Sequence, residues 1–410
     1  MCSIASRNLL AASLLAACAG CAVGPTEYAA RTLSSGEQDS VADKPVELQP
    51  LYRDLYTQGR RNEVLNLMEI GVAALRSGHD DLARAALDEA ILNIESVYAD
   101  NDAAQRARSL WYEEGQKDFK GEPYERSMVF YYRGLLYLKD ADYGNARASF
   151  LSGLLQDAFA EEEQHATDFA ALLYLAGWAA QLDGKARLAA DHFAEYQKLR
   201  PNASIPDPAD NVLVIAETGS APRKLADGVG HYELVYRRGK NIRAASARIQ
   251  RAAGPRQLDK TSDIYFQAST RGGRTVDRII GGKVQFKRNT ARTGDVMTAA
   301  SDNSLITGVG TSAGGAISAG FAAVTAIGIA AQGLSARANT RADTRYWHGL
   351  PDALHCLTLQ GDGNDAPMTI EFVNTYGQVV GDLSTRVAPT FDARGNGLVQ
   401  VFSQISSQAG

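Results

Sequence analysis

Residues 128–150, MVFYYRGLLYLKDADYGNARASF, carry two apolar stripes of helical period that meet at a short polar break, 139–142. Gly134 and Ala146 are small where two such helices would cross, and Tyr143 and Phe150 are the bulky residues beside them. The arrangement recurs. From about residue 64 to 97, Gly71, Gly78, Ala83, Leu87 and Ala90 take the packing positions. From about residue 170 they are Gly177, Gly184, Ala189 and Phe193, and LRPN closes that segment at Pro201. A helix pair of this kind cannot bury its apolar faces alone, so it demands stacked neighbours. Residues 51–203 are therefore expected to form a helical repeat array.

The template is similar to tetratricopeptide (TPR) repeats. Its reference glycines lie 63 and 43 residues apart, against roughly 34 in that family, which implies structure inserted between the units. Residues 109–126, SLWYEEGQKDFKGEPYER, fill most of the larger gap. TPR arrays work through a groove lined by their first helices. The resemblance points Met68, Val72 and Arg76 into that groove from the first repeat, Tyr131, Leu135 and Lys139 from the second, and Tyr174, Trp178 and Gln181 from the third. Aromatic anchors beside Arg or Lys have the composition of binding hot spots. A partner peptide or helix is the expected occupant; a lid, or the chain's own carboxyl half, is the competing one.

The chain opens with MCSIASRNLLAASLLAACAGC, one basic residue and then an apolar run over 9–17 that is too short to span a bilayer. Leu15-Ala16-Ala17-Cys18 resembles a bacterial lipobox, which implies a signal peptide over 1–17 and lipidation of Cys18, with Cys21 as the alternative. By the same resemblance, Ala19 is not the Asp that retains such proteins at the inner membrane, so the expected location is the outer membrane, facing the periplasm. After processing at Cys18, only Cys21 and Cys356 remain as thiols, and Cys356 sits in the apolar run LHCLTL as a small packed hydrophobe rather than half of a disulfide. Residues 18–50 read as a flexible tether.

After Pro208 the texture changes to alternation. DNVLVIAETG, HYELVYRRG, AASARIQ, DIYFQAS and KVQFKR read as strands, and MTIEFVN, QVVGDLS and LVQVFSQ as a closing set. Residues 204–410 are thus expected to form an antiparallel, sandwich-like β domain. Within it, residues 303–336 run for 34 positions without a charge and carry small-xxx-small spacings at Gly310/Gly314 and Ala316/Gly320. A buried Gly/Ala-rich helix or hairpin, a membrane-inserting or oligomer-forming zipper, and a flexible lid are the three readings of that stretch. Trp347, Leu350 and Pro351 are expected to plug the space between the halves.

The net charge of −5 is modest and speaks against general nucleic-acid binding, but it hides an asymmetry. Acids exceed bases by eight over 51–202, and bases exceed acids by 12 over 223–292. Such segregation points either to contact between the halves or to a basic face for an anionic polymer. Catalytic signals are weak. Glu122 and Glu125 beside a Gly-Pro turn are better read as caps or salt bridges, His348 and His355 lack further ligands at metal spacing, and there is no G-x-S-x-G, GxGxxG or P-loop.

FKGEPYER followed by a Tyr-rich helical repeat, with ADTRYW (342–347) and Leu350-Pro351, resembles a family of bacterial lipoproteins that carry TPR repeats and have no assigned activity. That resemblance implies an envelope location, and relatives in the family accompany lipoproteins that activate cell-wall synthases. The expectation is an α+β chain, a TPR-like α-helical repeat array followed by an antiparallel β domain with a Gly/Ala-rich insert. Its expected role is a non-enzymatic, lipid-anchored periplasmic scaffold that binds envelope proteins through the groove and uses no cofactor or metal. The alternative is an accessory protein that binds anionic glycan or lipopolysaccharide through 223–292, and a pore component rests on the zipper alone.

Overall fold

A computed structural model describes residues 31–95, 118–157, 168–227, 233–251, 254–270, 343–361 and 366–404. The signal peptide, Cys18 and Cys21, the strand expected at KVQFKR and the segment 303–336 lie outside the described residues. The architecture is mixed α+β, with helices preceding strands. The helices are α1 (Ser35–Ala42), α2 (Gln49–Gln58), α3 (Glu63–Arg76), α4 (Asp80–Glu95), α5 (Pro123–Lys139), α6 (Tyr143–Asp157), α7 (Ala170–Leu182) and α8 (Ala186–Leu199).

Three of these pairs, α3–α4, α5–α6 and α7–α8, are antiparallel hairpins that cross at a glycine. A Cβ on Gly71 would lie 2.6 Å from Leu87, one on Gly134 would lie 2.3 Å from Phe150, and one on Gly177 would lie 2.5 Å from Phe193. Each large residue stands 16 positions after its glycine, so one packing solution is used three times. The turns correspond as well: Gly78, Ala141 and Gly184 each occupy the position seven residues after the crossing glycine, and each has positive φ. Helix ends carry the expected charges, with Asp80 and Asp81 opening α4, Pro123 and Glu125 in the first turn of α5, and Lys139 in its last.

Part of the expected tether is ordered structure. Ser34 caps α1 with the side chain of Glu37 reaching back to the Ser34 N–H at 2.9 Å, and Val41 and Leu48 are buried against the helices. The Ser34/Glu37 capping box starts a helix in a stretch whose polar composition reads as a tether.

The strands are β1 (Val212–Thr218), β2 (Arg223–Asp227), β3 (Glu233–Arg237), β4 (Ser246–Ile249), β5 (Arg256–Gln257), β6 (Asp259–Asp263), β7 (Ala353–Leu359), β8 (Met368–Val373), β9 (Thr385–Val387), β10 (Thr390–Phe391) and β11 (Gly397–Phe402). They form a five-stranded sheet ordered β10-β11-β1-β7-β6, a four-stranded sheet ordered β5-β4-β8-β9, and a two-stranded ribbon β2-β3. The larger sheet is not antiparallel throughout. β1 pairs parallel with β11, from Val212 opposite Gly397 to Glu217 opposite Phe402. A parallel neighbour needs a long crossover, and here the whole of 219–396 supplies it.

All seven residues of β1 are buried. Leu213 and Ile215 join the cluster that contains the helices, whereas Val212, Val214 and Ala216 join Ile249, Ile370 and Phe372 from the four-stranded sheet. Helices, five-stranded sheet and four-stranded sheet are thus three successive layers, and the first apolar cluster runs across the 203/204 boundary. Two expected strands take other forms. DIYFQAS is a helix, α9 (Ile264–Thr270), because Asp263 Oδ1 accepts the Phe266 N–H at 3.0 Å and starts a turn where alternation suggested a strand. QVVGDLS contributes one bridge, Val379 to Val373, and otherwise turns.

The hairpin geometry has two consequences for stability. Gly134→Ala forces a methyl into Phe150 and is expected to cost about 1–3 kcal/mol, read as a lower urea midpoint with an unchanged slope. Ala141→Gly removes a left-handed L-residue from the equivalent turn and is expected to raise the unfolding free energy by up to about 1 kcal/mol, less what the extra freedom of the unfolded chain takes back, read as a higher urea midpoint.

Candidate functional site: the filled groove and its two charge centres

The nine groove residues lie along α3, α5 and α7, but they are not a free surface, and Val72 and Leu135 are buried. Met68, Tyr131, Tyr174 and Trp178 are all buried. Arg76 Nη2 donates to Glu217 Oε2 at 2.9 Å and Nη1 to Gln404 at 3.2 Å; Lys139 Nζ donates to Asp80 at 2.9 Å; Gln181 donates to the Asp207 carbonyl at 2.8 Å. The expectation of an open groove is therefore corrected. Leu213 and Ile215 of β1, Leu354 and Cys356 of β7, Leu398 of β11 and the residues Trp347 and Leu350 occupy it. What remains between Lys139, Trp178, Leu213 and Leu398 is a space of about 10 Å³, room for a single water. The competing occupant named from the sequence, the chain's own carboxyl half, is the one found, and Trp347 and Leu350 are fully buried as the expected plug.

A buried carboxylate anchors this arrangement. Glu217 points from β1 toward the helices and accepts hydrogen bonds from Tyr132 at 2.9 Å and Tyr131 at 3.3 Å as well as from Arg76. Burial, and then the adjacent Glu217 charge, push both phenols well above their ordinary range, which keeps them neutral donors. The Arg76 guanidinium also lies over Phe402, 4.9 Å from the ring centroid.

The second centre joins the two motifs that carry the family resemblance. Lys224, on β2, has no exposed surface along its side chain, and its Nζ stands 3.1 Å from Glu122 Oε1 and 3.1 Å from Glu125 Oε2. Glu125 also accepts the Glu122 N–H at 2.7 Å and the Trp347 N–H at 2.8 Å. Beyond Trp347, the backbone N–H groups of His348 and Gly349 donate to Glu69 at 2.7 and 3.1 Å. A Cβ on Gly349 would lie 2.5 Å from Val72, so only glycine lets this segment approach α3 this closely. Arg345 donates to the Arg61 carbonyl and to Asn62, both at 2.8 Å, and lies over Phe119. Residues 343–351 thus form a strap whose backbone is held by α3, through Glu69, and by α5, through Glu125.

Sequence reasoning assigned Glu122 and Glu125 to caps or salt bridges and missed their partner. Lys224 is inside while Leu225, next to it, is 40 % exposed, the reverse of what polarity suggests for a strand. The usable signal was the pair of acids three residues apart at a helix start, which needs a buried cation once the helix end is covered.

Cys356, His355 and His192 are buried. Burial pushes the Cys356 thiol up to about 12, and its Sγ lies against Thr261. His355 hydrogen-bonds Thr218 at 3.0 Å and is pushed down to about 4 by burial; His192 is likewise held at about 4 by burial and then Arg147. Among the described residues, no group of three His, Cys, Asp or Glu is placed to hold a metal, and no helix is long and apolar enough to cross a membrane. Of the basic residues in the described part of 223–292, Arg238 pairs with Asp263 and Asp352, Arg243 with Asp382, Arg248 with Glu371 and Lys260 with Asp263. Arg237, Lys240, Arg251 and Arg256 are exposed.

Removing the cation alone should be worse than removing the whole centre. Lys224→Met leaves two buried carboxylates unmatched and is expected to be less stable, by up to about 3–5 kcal/mol, than the triple change with Glu122→Gln and Glu125→Gln, which leaves none; urea unfolding of the two variants measures the difference. The two buried histidines set an acid limit. Their folded values lie below the ordinary 6.5, so their contribution is complete above pH 6.5 and is lost as pH falls toward 4, because the unfolded chain binds more protons in that window. A His192→Gln/His355→Gln protein should lose less stability than the parent between pH 7 and pH 5.

The chain matches no family model, no curated protein and no solved structure.

Proposed function

We propose that the protein is a non-enzymatic interaction protein of the bacterial envelope, lipid-anchored at Cys18, or alternatively Cys21, in the outer membrane and facing the periplasm. In this reading the helical half is TPR-like and the two stacked sheets are sandwich-like. The recurrence of one glycine crossing at Gly71, Gly134 and Gly177 supports the first, and the apolar cluster shared by β1, β4, β7 and β8 supports the second. The array grips its own β half, and the partner proteins are engaged on outer surfaces.

The observation that carries this reading is the filled groove. Met68, Tyr131 and Trp178 are buried, and Arg76, Lys139 and Gln181 are hydrogen-bonded within the chain. The chemistry-bearing side chains of the interior are spent on holding two layers together, which suits a rigid platform better than a catalyst. Large apolar residues stand outside instead, with Leu92 on α4 63 % exposed and Tyr376 at the β8–β9 turn 85 % exposed.

The second reading, binding of an anionic glycan or lipopolysaccharide, draws on Arg237, Lys240, Arg251 and Arg256, exposed bases of the described part of 223–292. The pairing of Arg238, Arg243, Arg248 and Lys260 with acids of the same half weakens it.

In-cell photocrosslinking separates the two. With azidophenylalanine at Leu92 or Tyr376, an adduct with one envelope protein is expected, and none with the same group at Tyr131 or Trp178. Capture from Tyr131 would mean that the groove opens in the cell and that the present reading is wrong. Retention of glycan alone, lost in high salt and on replacing Arg251 and Arg256 with Ala, would establish the second reading in its place.

A further inference from the structure

Lys224 is the one described lysine whose side chain is wholly removed from solvent, and two fully buried carboxylates touch the same nitrogen. Aromatic rings close the space. Phe119 lies 5.4 Å from Nζ, Tyr236 is the cross-strand neighbour of Lys224, and Tyr124 packs edge-on to Tyr236 with centroids 6.1 Å apart. The two acids are held differently. Glu125 has a backbone N–H on each oxygen, from Trp347 and Glu122, and is thereby fixed as an acceptor. Glu122 is the other half of the capping box, its side chain facing the Glu125 N–H, and it presents Oε1 to the amine.

We propose that Lys224 Nζ and the Glu122 carboxyl condense into an intramolecular amide, with Glu125 as the proton carrier. Glu125 takes one proton from the ammonium group, and the freed amine lone pair attacks Cδ of Glu122. The C–O bond then breaks. The departing oxygen leaves as water with two protons, one returned by Glu125 and one from the nitrogen, and the third ammonium proton stays on the amide. Glu125 ends as it began, and no oxidant, reductant or activated ester takes part.

Two physical terms favour the step in this setting. Condensing free ammonium and carboxylate is unfavourable in water, but groups fixed in contact react with effective concentrations of about 10⁵–10⁸ M. The product also replaces two desolvated opposite charges with one neutral group in a site that excludes water. The fold gives the bond a use. The ribbon β2-β3 pairs with neither larger sheet, and the amide would fasten it to the first turn of α5, closing a chain loop of roughly a hundred residues.

The test is a tryptic digest of the denatured full-length protein, read by mass spectrometry. The expected product is a branched peptide, 121–126 joined to 224–237, lighter than the sum of its parts by one water and uncut after Lys224. Fragmentation should place the link on Glu122. Glu125→Gln and Lys224→Arg should each give unlinked peptides while circular dichroism shows a folded chain. A wild-type digest that yields free 121–126 and a peptide beginning at Leu225 overturns the proposal, whether or not either variant folds. A link found on Glu125 overturns the assignment of roles.

Discussion

A carboxylate on the inner face of a sheet has to be matched by donors from whatever layer covers it, and Glu217 takes its donors from two different helix hairpins. Arg76 ends α3, Tyr131 and Tyr132 stand in the middle of α5, and all three converge on one side chain of β1. Leaving that charge unmatched would cost several kcal/mol. The sheet can therefore dock on the helices at one place and in one rotation, because a shift of one residue along β1 would turn Glu217 to the other face. The apolar contacts around it supply most of the driving force; the charge selects among the ways of satisfying them.

Lys224 repeats the logic at the other end of α5. There the helix supplies the acids and the strand supplies the base. The two centres communicate through Trp347, whose N–H is held by Glu125 and whose ring lies 5.6 Å from that of Tyr132, itself bonded to Glu217. The charge asymmetry along the chain is accounted for only in part by contact between the halves. Lys224 crosses to the acidic half, and Arg394 approaches Asp183 at 4.0 Å, but most bases of the carboxyl half that are paired find acids within that half.

Local patterns carried the elements, and non-local matching decided the site. The three hairpins were legible because a crossing glycine, a turn and a large residue recur at fixed offsets, and β1 and β11 were legible as short apolar runs bounded by turns. Trp347 was legible as a plug from its place beside Leu350-Pro351. The occupant of the groove was not. Residues that line an open groove and residues that line a filled one have the same composition, since both are apolar with a few charged ends. Lys224 was hidden for the same reason: its burial depends on Glu122 and Glu125, about a hundred positions away. Helix α9 was misread because four alternating residues after Asp263 fit a strand, and only the cap on Phe266 decides otherwise.

The parallel pairing of β1 with β11 also orders the life of the chain during synthesis. All eight helices from α1 to α8 are complete before β1 is made, but both strands that flank β1 belong to the last sixty residues of the sequence. Until those arrive, β1 has two unpaired edges and the inner face of the helices has no cover. A nascent chain in that condition presents an apolar trough and a strand template together, the combination that recruits holding chaperones or self-associates. Chains truncated before residue 353 are then trapped in that condition, and the interval in which the protein is most vulnerable is set by the time taken to produce 219–402.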